Sequence, residues 1–97
     1  MSVILINPFE VHEGQEREAL VLWDMAADFF RSQPGFISTR LHQAIVPWAR
    51  FYLINVAEWE SAQRYEAALN SEEYRKLAER FKDVARYYPG LYEVVKT

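Results

Sequence analysis

Two segments, VILINPFEV at residues 3–11 and RFYLINVAEW at residues 50–59, decide the fold of this chain. Both are rich in β-branched and aromatic residues, and their side chains alternate between two apolar faces. This pattern predicts strands from Val3 to Val11 and from Arg50 to Trp59. Both segments also contain Leu-Ile-Asn, so one amide, Asn7 or Asn55, interrupts an apolar face of each strand. We therefore expect two largely buried strands that each carry one polar side chain.

The segments between and after these strands have helical periodicity or short strand alternation. A first helix runs from Gly14 to Pro34-Gly35, and its inward positions are Ala19, Leu20, Trp23, Ala26, Ala27 and Phe30. The other predicted elements are a strand from Phe36 to Ala44, a second helical region and a strand from Leu91 to Lys96. The second helical region has two parts, one from Ser61 to Leu69 and one from about Ser71 with Asn70 as its N-cap. We expect Pro8 to weaken strand pairing on one side, because proline has no N–H to donate.

The element order is β-α-β-β-α-β, which predicts a ferredoxin-like α+β domain over residues 1–97. Its antiparallel sheet of four strands carries both helices on one face. No helix remains to cover the other face, although the first and third strands are apolar on both sides. This exposed apolar face predicts a homodimer in which two sheets stack face to face, with Tyr52 and Tyr92 at the interface.

The composition excludes several classes of protein. The chain has 97 residues, of which 51% are hydrophobic and 15% aromatic, and its net charge of −3 argues against a nucleic-acid binder. No apolar run reaches the roughly 20 residues of a membrane span, and the N-terminus lacks the basic region of a signal peptide. The absence of cysteine excludes thiolate metal sites and cysteine nucleophiles. We expect a cytoplasmic protein without a metal site.

Four polar or amphipathic residues interrupt the predicted core. Asn7 and Asn55 lie near each other if the first and third strands are antiparallel neighbours. Trp59 follows Asn55 by four residues on the same face, and Tyr65 lies one turn into the next helix. Together they predict an apolar small-molecule site with a few polar groups. The alternative is that the two amides bond each other or a buried water, while Trp59 and Tyr65 are ordinary core residues.

Three further residues are candidates for contact with a small molecule. Arg40 and His42 share a face of the second strand with Phe36 and line the same space or its mouth, where His42 is a candidate proton acceptor. Trp23, on the inward face of the first helix, helps to set the size of the space. The two histidines have no nearby ligand cluster, so no metal site is predicted.

The motifs Pro34-Gly35-Phe36-Ile37, Arg50-Phe51, Glu58-Trp59-Glu60-Ser61 and Asn70-Ser71-Glu72-Glu73 resemble those of the antibiotic biosynthesis monooxygenase family. The resemblance covers nearly the whole chain and implies a dimeric α+β barrel. It also implies a monooxygenase without a cofactor, which oxidises a polycyclic phenol, anthrone or hydroquinone to a quinone with O2. In such enzymes a strand Asn, a Trp four residues on and a Tyr six beyond it carry the site. Asn55, Trp59 and Tyr65 reproduce this spacing, and Asn7 resembles a further first-strand Asn.

The resemblance implies a substrate-assisted mechanism. The deprotonated substrate reduces O2 directly, Asn55, Trp59 and Asn7 stabilise the developing negative charge, and Tyr65 or His42 relays the proton.

Two other functions remain open at this stage. One branch of the same fold degrades haem, but Ala68 and Ala78 stand where its Trp and His would fall, which disfavours that activity. The other alternative is a small-molecule binding protein of this fold without catalytic activity. Oxygen uptake distinguishes it from a monooxygenase.

Overall fold

The computed structural model describes residues 2–97 and contains five strands and three helices. The strands are β1 (Val3–Val11), β2 (Phe36–Gln43), β3 (Leu53–Trp59), β4 (Ala85–Tyr87) and β5 (Gly90–Tyr92). The helices are α1 (Glu16–Arg31), α2 (Ala62–Leu69) and α3 (Glu72–Phe81). The predicted ferredoxin-like α+β fold is confirmed, with an antiparallel sheet in the order β2-β3-β1-β4 and β5 also paired with β1.

The central pair of strands has the predicted character. β1 and β3 are antiparallel neighbours in continuous register, with Asn7 directly opposite Asn55. On the helix side of these strands, Leu5, Phe9 and Leu53 are buried in the main core. The Leu-Ile-Asn repeat therefore places two amides side by side on the face that the helices cover.

The prediction of the last strand was wrong. Instead of one strand from Leu91 to Lys96, two short strands pair with β1, β4 opposite Phe9–Val11 and β5 opposite Ile4–Ile6. The interruption lies opposite Pro8, whose carbonyl accepts a hydrogen bond from the Tyr88 N–H at 3.1 Å. The N–H and C=O of one residue point to the same side of a strand, so the N–H that Pro8 lacks would have faced this edge. The predicted weakening at Pro8 is found there.

The second strand contains a β-bulge that the sequence did not predict. Phe36 pairs with Trp59 and Ser38 pairs with the adjacent Glu58, which leaves Ile37 as an extra residue. Because an extra residue reverses the alternation of faces, Phe36 shares the helix side of the sheet with Thr39 and Leu41. The prediction that Arg40 and His42 share the face of Phe36 is therefore wrong.

Smaller corrections concern helix ends and faces. Ser71, and not Asn70, caps α3, because its hydroxyl accepts from the Tyr74 N–H at 3.1 Å. In α1, Leu22 and Phe29 are buried whereas Leu20 is exposed. Leu22 and Phe29 were missed because α1 packs on α3 as well as on the sheet, with the rings of Phe29 and Tyr74 6.3 Å apart.

The third strand starts at Leu53 instead of Arg50.

No helix in the described part of the chain is long and apolar enough to cross a membrane.

Candidate functional site

A cavity lies between the helix side of the sheet and the three helices. The volume that the centres of water molecules can occupy is about 50 Å³. The total volume without protein atoms, which includes the part open to solvent, is about 600 Å³. The smaller volume has room for the centres of a few water molecules, and the cavity opens to solvent beyond it. The lining residues are Leu5, Asn7, Phe9, Trp23, Ala26, Ala27, Phe30, Phe36, Thr39, Asn55, Ala57, Trp59, Tyr65, Tyr74, Phe81 and Tyr87. Apolar and aromatic groups dominate this lining, as in most small-molecule sites.

Asn7 and Asn55 form the polar floor of the cavity. They face each other across β1 and β3 and are half-buried. The Asn55 Oδ1 accepts a hydrogen bond from the Thr39 hydroxyl at 2.6 Å, and the Asn7 Oδ1 accepts one from the Tyr88 N–H at 3.1 Å. The two amide oxygens thus accept from different donors, and no hydrogen bond joins Asn7 to Asn55. In both side chains the amino group is left to donate to something else.

Trp59 closes one end of the cavity with a buried indole. Its side chain is 1% exposed and lies edge-on to Phe30, Phe36 and Tyr65, at centroid distances of 5.7, 5.4 and 5.5 Å. Its Nε1 is the one buried side-chain nitrogen or oxygen without a hydrogen-bond partner among residues 2–97. An unsatisfied buried donor costs free energy, and such groups are few in folded proteins. The indole N–H is therefore a buried donor without a partner in the wall of the cavity.

Tyr65, from the first half of α2, brings a phenol to the same wall. Burial, and to a smaller extent the neighbouring Tyr87, raises the pKa of Tyr65 to about 12. Burial also raises the pKa of Tyr74, with smaller effects of Tyr87 and Tyr65. Both phenols are protonated at neutral pH. Tyr65 can therefore donate a hydrogen bond or deliver a proton, but it is a poor acceptor of one.

The remaining predicted residues divide into two groups. Trp23 is half-buried and lines the cavity. Arg40 and His42 do not line it, because the bulge at Ile37 turns them to the opposite face of the sheet, where both are exposed. There the His42 Nδ1 lies 3.3 Å from the carbonyl oxygen of Ile54.

Sequence reasoning missed three polar lining residues. Thr39 was hidden by the bulge, and Tyr87 lies in the strand β4 that was not predicted. Tyr74 has the spacing of an inward helix residue, and this spacing alone does not distinguish a core side chain from a site residue. All three carry hydroxyls that can donate hydrogen bonds.

The chemistry of the lining is uniform. It contains two amides, two indoles, phenols and one aliphatic hydroxyl, but no carboxylate, histidine, lysine or arginine. Within residues 2–97, no three His, Cys, Asp or Glu side chains are grouped so that they could hold a metal ion. The lining thus combines several hydrogen-bond donors with apolar walls.

The chain resembles known proteins over its full length. A Shewanella loihica PV-4 protein described as a candidate monooxygenase is 36% identical, with 99% of this chain and 96% of that chain covered and a TM-score of 0.82. SnoaB, a cofactor-independent oxygenase from Streptomyces nogalater, is 24% identical over 99% of this chain and 95% of that one, with a TM-score of 0.86. Rv0793 from Mycobacterium tuberculosis is 13% identical over 100% and 98% of the two chains, with a TM-score of 0.83. The last two likenesses show the fold alone.

A search of curated proteins by sequence returned no match. The profile that describes antibiotic biosynthesis monooxygenases matches residues 2–80, which is most of the chain. The resemblance that the sequence motifs indicated is thereby confirmed, and the chain belongs to the antibiotic biosynthesis monooxygenase family.

Proposed function

We propose that this protein is a cofactor-independent monooxygenase that oxidises a small cyclic or polycyclic phenol, anthrone or hydroquinone to a quinone with O2. The observation that carries the proposal is the buried indole N–H of Trp59, which has no partner among the described residues and shares an apolar cavity with Asn55. An enzyme of this kind has to stabilise negative charge on oxygen, and fixed N–H donors in a dry site do this efficiently. The family supports the general reaction class.

The proposed reaction conserves atoms and electrons without a cofactor. Loss of one proton from an anthrone-type CH2 group gives an electron-rich anion, which passes one electron to O2. The resulting radical and superoxide combine through a new C–O bond, and the peroxide takes up a proton. Cleavage of the O–O bond with loss of the second hydrogen from the same carbon gives the quinone carbonyl and one water. The substrate carbon is oxidised and O2 is the only oxidant.

Each proposed residue has one part in this sequence. Asn55, Asn7 and Trp59 donate hydrogen bonds to the substrate oxyanion and to the peroxide. Tyr65, whose pKa is raised to about 12, delivers a proton to the peroxide and is not the base that starts the reaction. The lining has no residue that accepts a proton at neutral pH. The first proton therefore goes to solvent or buffer, and the substrate must itself be acidic.

We also propose that the active form is a homodimer made through the uncovered face of the sheet. The outward side chains at the centre of the two central strands are apolar, and Ile4, Ile6, Ile54 and Val56 are all half-buried in the isolated chain. Stacking on a second copy would remove this apolar surface from water. We expect Val56→Lys to dissociate the dimer in sedimentation equilibrium without unfolding it, whereas the outward helix variant Glu66→Lys leaves it intact. A monomeric wild type would contradict this part of the proposal.

Oxygen uptake with a panel of anthrones and hydroquinones tests the activity. We expect Asn55→Ala and Trp59→Phe to lower kcat by roughly 100-fold or more, the usual effect of losing one oxyanion donor. The chain offers matched controls outside the cavity, Asn70→Ala at the exposed end of α2 and Trp48→Phe at a position that is 82% exposed. Both should turn over as the wild type does.

Two results would contradict the proposal in different ways. Tight binding of the panel without any oxygen uptake would make the protein a binding module. Wild-type turnover by both Asn55→Ala and Trp59→Phe would leave the enzyme in place but remove these residues from its site.

A further inference from the structure

We propose that Thr39 is a positioning residue whose hydroxyl holds the Asn55 carboxamide with its amino group toward the cavity, so that the site binds a ligand oxygen as an anion. The proposal rests on the proposed function for the class of ligand, a phenol or enol that ionises. The orientation of the amide rests on the contacts around it.

The contact between Thr39 and Asn55 fixes one end of the amide. The Thr39 hydroxyl donates to the Asn55 Oδ1 at 2.6 Å, and both residues line the cavity. Threonine is restricted at χ1, so its hydroxyl is a stiff donor. A carboxamide is planar and rigid, and its oxygen and amino group are the two arms of its terminal carbon. Holding the oxygen against Thr39 therefore fixes the plane of the amide and leaves the amino group as its free end.

The same arrangement recurs at Asn7 with a different donor. The Tyr88 N–H, shared with the Pro8 carbonyl, donates to the Asn7 Oδ1 at 3.1 Å. The oxygens of the two adjacent amides are thus bound from either side, by Thr39 of β2 and by Tyr88 between β4 and β5. Their amino groups are left as the free hydrogen-bonding ends.

The consequence is that the amides meet a ligand as donors and not as acceptors. The two amide amino groups are joined by the Trp59 N–H, which has no partner among the described residues. Donors that converge in an apolar space favour the charged form of an acid that they contact. A bound phenol or enol should therefore ionise at a lower pH than it does in water, and Thr39 should be needed for the full effect.

The test uses alizarin, a polycyclic hydroxyquinone whose colour changes when its phenol ionises. Its pKa is measured by absorbance, free and bound to wild type, Thr39→Val, Thr39→Ser and Asn55→Ala. We expect wild type to lower the pKa of bound alizarin, and Thr39→Val to lose about one unit of that effect, the size of one hydrogen bond to a charged group. Thr39→Ser should restore it. The control Ser38→Ala removes a hydroxyl from the adjacent residue, which is exposed, and should match wild type.

A double variant separates positioning from a general effect on folding. If Thr39 acts through Asn55, then Thr39→Val adds nothing in the Asn55→Ala background. The side-chain amide signals of Asn55 in a ¹⁵N–¹H spectrum give a second measurement that needs no ligand. They should move in Thr39→Val and return in Thr39→Ser.

Several outcomes would overturn the inference. A wild type that fails to bind alizarin, or that raises its pKa, would mean that the site does not present donors to an anion. Additive effects of Thr39→Val and Asn55→Ala, or failure of Thr39→Ser to restore the effect, would mean that Thr39 does not position the amide. If the pKa is lowered as expected but no substrate consumes oxygen, the proposed enzyme fails while the role of Thr39 stands.

Discussion

Replacing Trp59 with phenylalanine separates packing from hydrogen-bond donation at the most buried point of the cavity. Trp59 is 1% exposed, and its indole N–H has no partner among residues 2–97. Burying an unsatisfied donor costs about 1–3 kcal/mol, which Trp59→Phe recovers. The smaller ring leaves a space of about 40 Å³, which costs about 1 kcal/mol at roughly 24 cal/mol per Å³. The lost apolar atoms cost about 1 kcal/mol more.

These opposing contributions nearly cancel, so we expect the free energy of unfolding of Trp59→Phe to lie within about 1 kcal/mol of wild type. The assay is urea unfolding of the ligand-free protein at one fixed protein concentration, since a dimer would make the result depend on concentration. Trp59→Ala is the reference for full loss of packing and should cost about 3–5 kcal/mol.

A loss in Trp59→Phe as large as that in Trp59→Ala would refute this reasoning. It would mean that the indole N–H already has a partner in the ligand-free protein and is not held in reserve for a ligand. The expected combination is a protein of nearly normal stability that has lost most of its turnover.

Three further predictions concern the helix cap, the buried phenol and a turn. Ser71→Ala should lower the free energy of unfolding by about 1 kcal/mol through loss of the α3 cap, whereas Asn70→Ala should leave urea unfolding unchanged. Burial raises the pKa of Tyr65 to about 12, above its ordinary value of 10.0, so the unfolded chain loses this proton first. The contribution of Tyr65 to stability should therefore be constant below about pH 10 and fall between pH 10 and 12, and the fall in stability over that range should be less steep in Tyr65→Phe than in wild type. Gly35 has a φ of +89° and an added Cβ would lie 2.5 Å from a side-chain carbon of α2, whereas Gly14 has a φ of +83° and open space around it. In thermal unfolding, Gly35→Ala should therefore lower stability clearly more than Gly14→Ala. The loss in Gly14→Ala is only the roughly 1 kcal/mol of backbone strain. Equal losses of stability in the two variants would contradict the steric argument.

The fold followed from the sequence because its periodicities are strong and consistent. The apolar alternation of β1 and β3 predicted their faces, and the observed register places Asn7 opposite Asn55 on the helix side. Trp59 and Tyr65 could be predicted as well. Trp59 shares the strand face of Asn55, and Tyr65 lies in the helix that follows this strand. A buried face leaves a strand little freedom of register, which is why these four positions were predictable.

The two faces of the second strand could not be predicted from its alternation. The bulge at Ile37 depends on how β2 pairs with Trp59 and Glu58, and the local residues contain no glycine or other signal within the bulge itself. One extra residue was enough to exchange the two faces. Arg40 and His42 therefore left the predicted site, and Thr39 entered it.

The two places where the sheet departs from regular pairing are the same two that hold the amide oxygens. The bulge in β2 turns Thr39 to the helix side, where its hydroxyl binds Asn55. At the interruption between β4 and β5 the Tyr88 N–H is shared between the Pro8 carbonyl and the Asn7 Oδ1. A regular sheet would satisfy its own backbone groups and leave both amides free to pair with each other. Departures from regular pairing tend to gather at functional sites. Here both have one consequence, since each occupies the oxygen of an amide and leaves its amino group as the free end.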